Sequence, residues 1–270
     1  MSLHHTRAPA LALTGFAAMA LIAGTARAQN TSKELVPGSW SATIGIGAVV
    51  APEYPGSDEA SISPVPLIDL RYRVGMTGLD TVFLNTGDGL GVVVLRRGAF
   101  STGVSVNYAS GRDEDDGDRL RGLGAIDAAA RGRLFVRADF GALGLGLDID
   151  RAFGAQDGTF LTMKASYSAH LTPALSLTGH VGATLADGSG QRQWFGVTEA
   201  GAARSGLPAY RPDGGLQSGT LGVTAAYALT PHWRLTARVG VTQLLGDAAD
   251  SPVVENETQP YGFLGVSYRF

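Results

Sequence analysis

The chain has 270 residues, no cysteine, 38 glycines, a formal net charge of −3 and a mean hydropathy close to zero. Without cysteine there is no disulfide framework and no thiolate metal site, and the slightly acidic balance lacks the basic footprint of a nucleic-acid binder.

At the N-terminus, Arg7 precedes an apolar run from Ala8 to Gly24, and Ala26-Arg27-Ala28 offers the small side chains that a signal peptidase accepts. Residues 1–28 are expected to be a cleaved signal peptide, because the run is shorter than the ~20 apolar residues that span a bilayer as a helix. Residues 29–38 then form a short segment ahead of the first strand. Removing 1–28 takes away Arg7 and Arg27 and no acid, so the net charge falls from −3 to −5.

From there the dominant signal is alternation of period two. Strands are expected near 39–50, 61–73, 77–86, 88–96, 99–109, 123–139, 141–151, 158–171, 174–186, 216–229, 232–246 and 258–270, which makes twelve. In the seventh, Leu143, Leu145, Leu147 and Ile149 share one face, while Gly144, Gly146, Asp148 and Asp150 share the other. Earlier, Ile126, Ala128, Ala130, Leu134, Val136 and Ala138 oppose Asp127, Arg131, Arg133, Arg137 and Asp139. Several runs reach ~10 residues, the length of a tilted membrane strand rather than of an average globular one. The fold expected is a transmembrane antiparallel up-and-down β-barrel of about twelve strands. An even count leaves both termini at the periplasmic side, with long extracellular loops (51–60, 110–122, 187–215, 247–257) and short periplasmic turns such as Thr172-Pro173 and Thr230-Pro231.

The polar parity defines the candidate lumenal charges: Asp69, Arg71, Arg73, Asp127, Arg131, Arg133, Arg137, Asp139, Asp148, Asp150, Lys164, Arg234 and Arg238. Cations outnumber acids, which allows a lumen selective for anions. Aromatic residues Trp40, Tyr72, Phe100, Tyr108, Trp233, Tyr268 and Phe270 fall near strand ends, where interfacial girdles form. In the last strand Leu264, Val266, Tyr268 and Phe270 alternate with Gly265, Ser267 and Arg269, a pattern similar to the signal read by the outer-membrane barrel assembly machinery.

Signals for chemistry are thin. Asp113-Glu114-Asp115-Asp116-Gly117-Asp118 packs five acids but lacks EF-hand spacing, and Arg112, Arg119 and Arg121 flank it, so a solvated charge run is expected rather than a Ca²⁺ or Mg²⁺ site. The histidines of the mature chain are His170, His180 and His232. Neither of the first two has a serine motif or an orienting acid beside it, so no catalytic residue and no cofactor is assigned.

Several loop phrases resemble the MipA/OmpV family of outer-membrane proteins. They are Ala51 to Asp58 (APEYPGSD), Pro64 to Asp69 (PVPLID), Asn85 to Gly91, Gly111 to Asp116, Leu123 to Asp127, Ser205 to Tyr210 and Leu245 to Val254. The resemblance implies an outer-membrane barrel whose founding member is a scaffold between a membrane-bound lytic transglycosylase, MltA, and a bifunctional murein synthase. Relatives are also described in adhesion, osmotic response and drug uptake. The expected function is therefore a murein scaffold without enzymatic activity, set among lipid and lipopolysaccharide, with a narrow channel for small anionic or zwitterionic solutes and a surface or adhesion role as the alternatives.

Overall fold

The computed structural model describes residues 36–270, so the expected signal peptide and residues 29–35 lie outside the described residues. Twelve antiparallel strands close into one barrel: β1 (Trp40–Pro52), β2 (Ala60–Met76), β3 (Leu79–Asn85), β4 (Gly89–Arg97), β5 (Phe100–Ala109), β6 (Ala129–Phe140), β7 (Leu143–Phe153), β8 (Thr159–His170), β9 (Leu175–Ala186), β10 (Gly215–Ala228), β11 (Trp233–Leu244) and β12 (Thr258–Arg269). Each strand pairs with its sequence neighbours, and β1 meets β12 from Thr43↔Arg269 to Val50↔Gly262, so no edge is left at the seam. Closure matters because a bilayer supplies no hydrogen-bond partner for an unpaired backbone group.

Alternation places the side chains. Leu143, Leu145, Leu147 and Ile149 are each about 40% exposed, while Asp148 and Asp150 on the opposite face of the same strand are 0% exposed. Apolar outside and ionised inside is the inverse of a soluble sheet. It is stable only with hydrocarbon around the barrel.

Glycines on the lumenal parity receive aromatic rings from the same or a neighbouring strand. A Cβ at Gly47 would come within 2.5 Å of the Phe263 ring, and one at Gly265 within 2.6 Å of it. Phe83 covers Gly91 and Phe135 covers Gly103 in the same manner. The rings occupy this space because the glycine beneath has no side chain.

The strand boundaries lie close to those expected, with two departures. The sixth strand begins at Ala129 rather than near 123, because Leu123 and Ile126 turn inward to pack against loop residues and only an isolated bridge, Arg112↔Ile126, continues the ladder. Asp127, expected in the lumen, is therefore an exposed loop residue. The stretch 187–215, read as a loop, holds two helices: α1 (Gly188–Phe195) and α2 (Glu199–Ser205). Asp187 caps α1 by accepting from Gly190 N at 2.8 Å, and Thr198 caps α2 by accepting from Gly201 N at 3.0 Å.

The wall is uneven in height. β2 runs 17 residues and β3 only 7, so β2 pairs with β3 no further toward the loop end than Asp69↔Asn85. Pro66 O accepts from Thr86 Oγ1 at 2.8 Å, which puts the polar groups of Pro66, and by alternation those of Pro64, on that unpaired side. Proline has no N–H to leave unsatisfied, and it resists addition of a foreign strand.

Gly47→Val is expected to destabilise the barrel by about 1–3 kcal/mol through overpacking against Phe263, whereas Gly179→Ala, on the lipid face with open space around it, should not. Urea unfolding of the vesicle-inserted protein, followed by tryptophan fluorescence, separates the two.

Candidate functional site

The lumenal face of β6, β7 and β8 carries a continuous ionic network. Arg133 and Asp150 are register partners; Arg133 Nε donates to Asp150 Oδ1 at 2.8 Å, and its Nη1 reaches Asp88 Oδ1 at 2.5 Å. One strand position pair further down, Asp148 accepts from Arg137 through one oxygen and from Lys164 Nζ at 2.6 Å through the other. Gly146, opposite both Arg137 and Lys164, leaves the space in which these side chains cross to Asp148. Arg131, 6% exposed, lies with its guanidinium carbon 5.0 Å above the Phe160 ring, a cation–π contact.

Toward the turn end, Asp69 accepts from Arg71 at 2.7 Å, and Asp80 is shared by Arg96 at 3.1 Å and Arg73 at 3.6 Å. Asp139 is exposed there. Across the barrel, Arg238 donates to Thr224 at 2.7 Å and His180 Nε2 lies 3.0 Å from Tyr261 Oη. Arg96, Asp80 and Asp88 were not singled out in the sequence; a bulge between Val93 and Leu95 shifts the parity of Arg96. Of the lumenal histidines, His170 is exposed at the turn end opposite Ser176, with no hydrogen bond between them, and Ser168 pairs instead with Thr178 at 2.9 Å.

The last strand is anchored by aromatic stacking at the lipid face. Tyr268 stacks on His232 and makes edge contacts with Trp233 and Phe270, at centroid distances of 5.5, 5.1 and 5.0 Å. Leu264 and Val266 occupy the same outward parity as Tyr268.

At the opposite end the long loops fold together into a cap. Tyr54, Leu120, Val197 and Val253, one from each long loop, form a buried cluster. A second joins Trp194 and Phe195 of α1 to Phe160, Ala186 and Leu244, whose side chains top the lumenal wall, so the 187–214 loop folds inward over the mouth. Polar contacts lock the pieces: Tyr54 Oη donates to Glu255 at 2.8 Å, Arg112 to Trp194 O at 2.9 Å, Ser251 Oγ to Phe195 O at 2.6 Å, and Tyr210 Oη to Asp247 O at 2.9 Å. Burial pushes the Tyr54 hydroxyl well above its usual pKa, reinforced by Glu255, and burial lowers the Arg112 guanidinium to about 10. In the acidic loop, Glu114 accepts from the backbone N–H of Gly122 and Gly124, and these bonds hold its pKa below the usual 4.5. Among the described residues no group of three or more acidic or histidine side chains converges on a metal-sized site.

Charge is divided lengthwise. The four long loops (53–59, 110–128, 187–214, 245–257) carry sixteen acids and six bases, whereas the twelve strands carry twelve bases and five acids. The cap is therefore anionic and the barrel cationic.

The family model described as "MltA-interacting protein MipA" matches residues 44–270. The chain belongs to the MipA family. Among curated relatives, the outer membrane protein Omp26La of Vibrio anguillarum is 28% identical over 213 residues, covering 72% of each chain. The putative outer membrane protein YiaT of Escherichia coli K12 is 30% identical over 96 residues, covering 36% of this chain and 39% of its own. Among solved structures, the KdgM porin aligns over 84% of this chain and 99% of its own at 15% identity with a TM-score of 0.42, and the NanC porin over 84% and 98% at 7% identity with a TM-score of 0.43. This MipA-family barrel is an outer-membrane protein, and its family is not one of known enzymes. The phrases that carried the resemblance in the sequence build the cap and the short hairpin: Tyr54, Tyr210, Ser251 and Val253 lie in them, as does Asn85, whose Oδ1 accepts from Gly87 and Asp88.

Asp148→Asn strands Arg137 and Lys164 beside a neutral side chain and should cost about 3–5 kcal/mol, read as a lowered urea midpoint in vesicles; Asp157→Asn, at an exposed pair, should cost under about 1 kcal/mol. Because the Glu114 pKa is depressed in the fold, its contribution is present above pH 4.5 and is lost as pH falls through the lower, folded value. Limited proteolysis of the 110–128 loop should accelerate below that range in the wild type, and Glu114→Gln should show the faster rate already at pH 7.

Proposed function

We propose that this barrel is a platform that holds a murein-cleaving lytic transglycosylase of the MltA type at the periplasmic rim of the outer membrane and links it to a murein synthase. The observation that carries the reading is the family match over 44–270, to a family described by its interaction with MltA. Geometry supports it in two ways. The lumenal acids of β7 are spent on internal ion pairs that brace three strands together, and the loops are packed into one cap, as suits a rigid support. The turns at the periplasmic end are too short to reach a partner, so the partner sits on the rim itself. In this reading the chain has no catalytic role. His180 is engaged by Tyr261, and the outward aromatic belt of Trp40, Tyr72, Trp233 and Tyr268 rests among lipid headgroups, with lipopolysaccharide around the cap. The outward set Leu264, Val266, Tyr268 and Phe270 is what the barrel assembly machinery grasps.

A second reading, a narrow channel for small anionic or zwitterionic solutes, is favoured by the excess of bases over acids in the strands. The candidate selectivity ring is Arg71, Arg73, Arg131, Arg133, Arg137, Lys164, Arg234 and Arg238 with Asp69, Asp139, Asp148 and Asp150.

Immobilised barrel in detergent should retain the soluble domain of an MltA-type transglycosylase at near-stoichiometric level, and the same barrel in planar bilayers should give no resolved conductance steps. Anion-selective steps that Arg133→Ala alters, together with no retained transglycosylase, would replace the platform with the channel.

A further inference from the structure

At the turn end of the lumen a small cleft opens between β8, β9, β10 and β11, lined by His170, Ser176, Ala226, Ala228 and Arg234 together with the turn 172–175. Register explains how they meet. His170 faces Ser176, Ser176 faces Ala226, and Ala228 faces Arg234, so four adjacent strands contribute at one level. The two alanines on β10 leave the space in which the long Arg234 side chain leans toward β9 and β8.

Three features leave polar groups in the cleft and at its rim without a partner among the described residues. Ser176 is 97% buried, and its Oγ has no hydrogen-bond partner, a state that costs free energy unless something fills it. Arg234 makes no side-chain hydrogen bond or ion pair among the described residues, although nearly every other lumenal base has one. Arg269, equally without a side-chain partner, lies diagonally across from it on β12, since Arg234 is opposite Ser267. Two like charges on neighbouring strands, with no counterion among the described residues, repel each other, and an anion between them would relieve the repulsion.

We propose that this cleft is a carboxylate seat for an acidic peptide segment on the periplasmic partner. One carboxylate would accept from Arg234 and from the Ser176 hydroxyl, with His170 beside it and Arg269 drawing in the next acid along the segment. The chemistry is that of charge-assisted hydrogen bonds to a carboxylate, the strongest class available to a side chain. Lipid phosphate is disfavoured by direction: Arg234 and Arg269 have lumenal parity, whereas the headgroup belt of Trp233 and Tyr268 has the opposite one. Inner walls recessed behind short turns demand a slim projecting ligand, and an extended acidic chain fits. This inference rests on the platform reading and names the chemistry of its docking point.

The test is binding of a fluorescent hexaglutamate peptide to the purified protein in detergent, with hexaglutamine as the neutral control and with unlabelled inorganic phosphate and soluble muropeptides as competitors. Saturable, salt-sensitive binding of hexaglutamate is expected, weakened at least tenfold in Arg234→Ala, less in Ser176→Ala and in Arg269→Ala, and restored in part by Arg234→Lys. Unchanged heat-modifiable mobility of each variant on gels shows that the barrel still folds. Equal binding by wild type and Arg234→Ala would overturn the seat. So would stronger binding of muropeptides, which would make murein itself the ligand, or competition by phosphate at the same concentration, which would reduce the cleft to a general anion site. Capture of the transglycosylase by Arg234→Ala at the wild-type level would sink this inference and leave the platform standing; hexaglutamate binding without capture by the wild type would overturn the platform and with it the partner assigned here, leaving only a cleft that binds acidic peptide.

Discussion

Every backbone N–H and C=O that enters hydrocarbon must find a partner within the protein, and the pairing of β1 with β12 is where this chain meets that demand. Once the sheet is closed, each strand has one face in lipid and one in a narrow interior, and the period of two distributes side chains between them without further choice. The consequences follow: apolar residues ring the outside, while glycines, the aromatic rings that cover them and the ionisable groups share the inside. Along β2 above the short β3–β4 hairpin, where β3 offers no partner, two prolines remove donors that would otherwise be left open.

Inside, the same confinement decides the electrostatics. Asp148 and Asp150 are fully buried, and an ion so placed is tolerable only when its partners are within hydrogen-bond reach. Arg133, Arg137 and Lys164 provide them, and Asp88 reaches in from the turn of the short hairpin to balance Arg133. These groups tie three strands and a turn together. Among the described residues, Arg234 and Arg269 at the turn end of β11 and β12 have no such acid within ion-pair reach, which sets them apart from the braced cations of β6 to β8.

The two ends of the molecule carry opposite charge. Acids concentrate in a cap held by buried Tyr54, Leu120, Val197 and Val253, and by main-chain contacts from Arg112, Ser251 and Tyr210. Such a cap repels anions from the outer side, while the cationic strands attract them from the periplasm.

Strand number, strand limits and the inward or outward sense of nearly every strand residue were legible in the amino-acid sequence, because side-chain direction in a strand depends only on local parity and the bilayer enforces it everywhere. Loop phrases also identified the family before their purpose was visible. Tertiary structure alone decided what those phrases build, since Tyr54 meets Glu255 and Arg112 meets Trp194 across separations of about 200 and 80 residues. It also moved Ile126 and Asp127 out of the wall, where alternation had continued by chance into a loop whose apolar residues found a different core. The helices of 187–214 lay between these cases: their caps, Asp187 and Thr198, and the closing Gly206 were present as local signals, but their inward packing was not. Which cations are paired and which are bare could not be read from parity, because parity gives a face and not a depth, and depth depends on how neighbouring strands are staggered when the sheet closes.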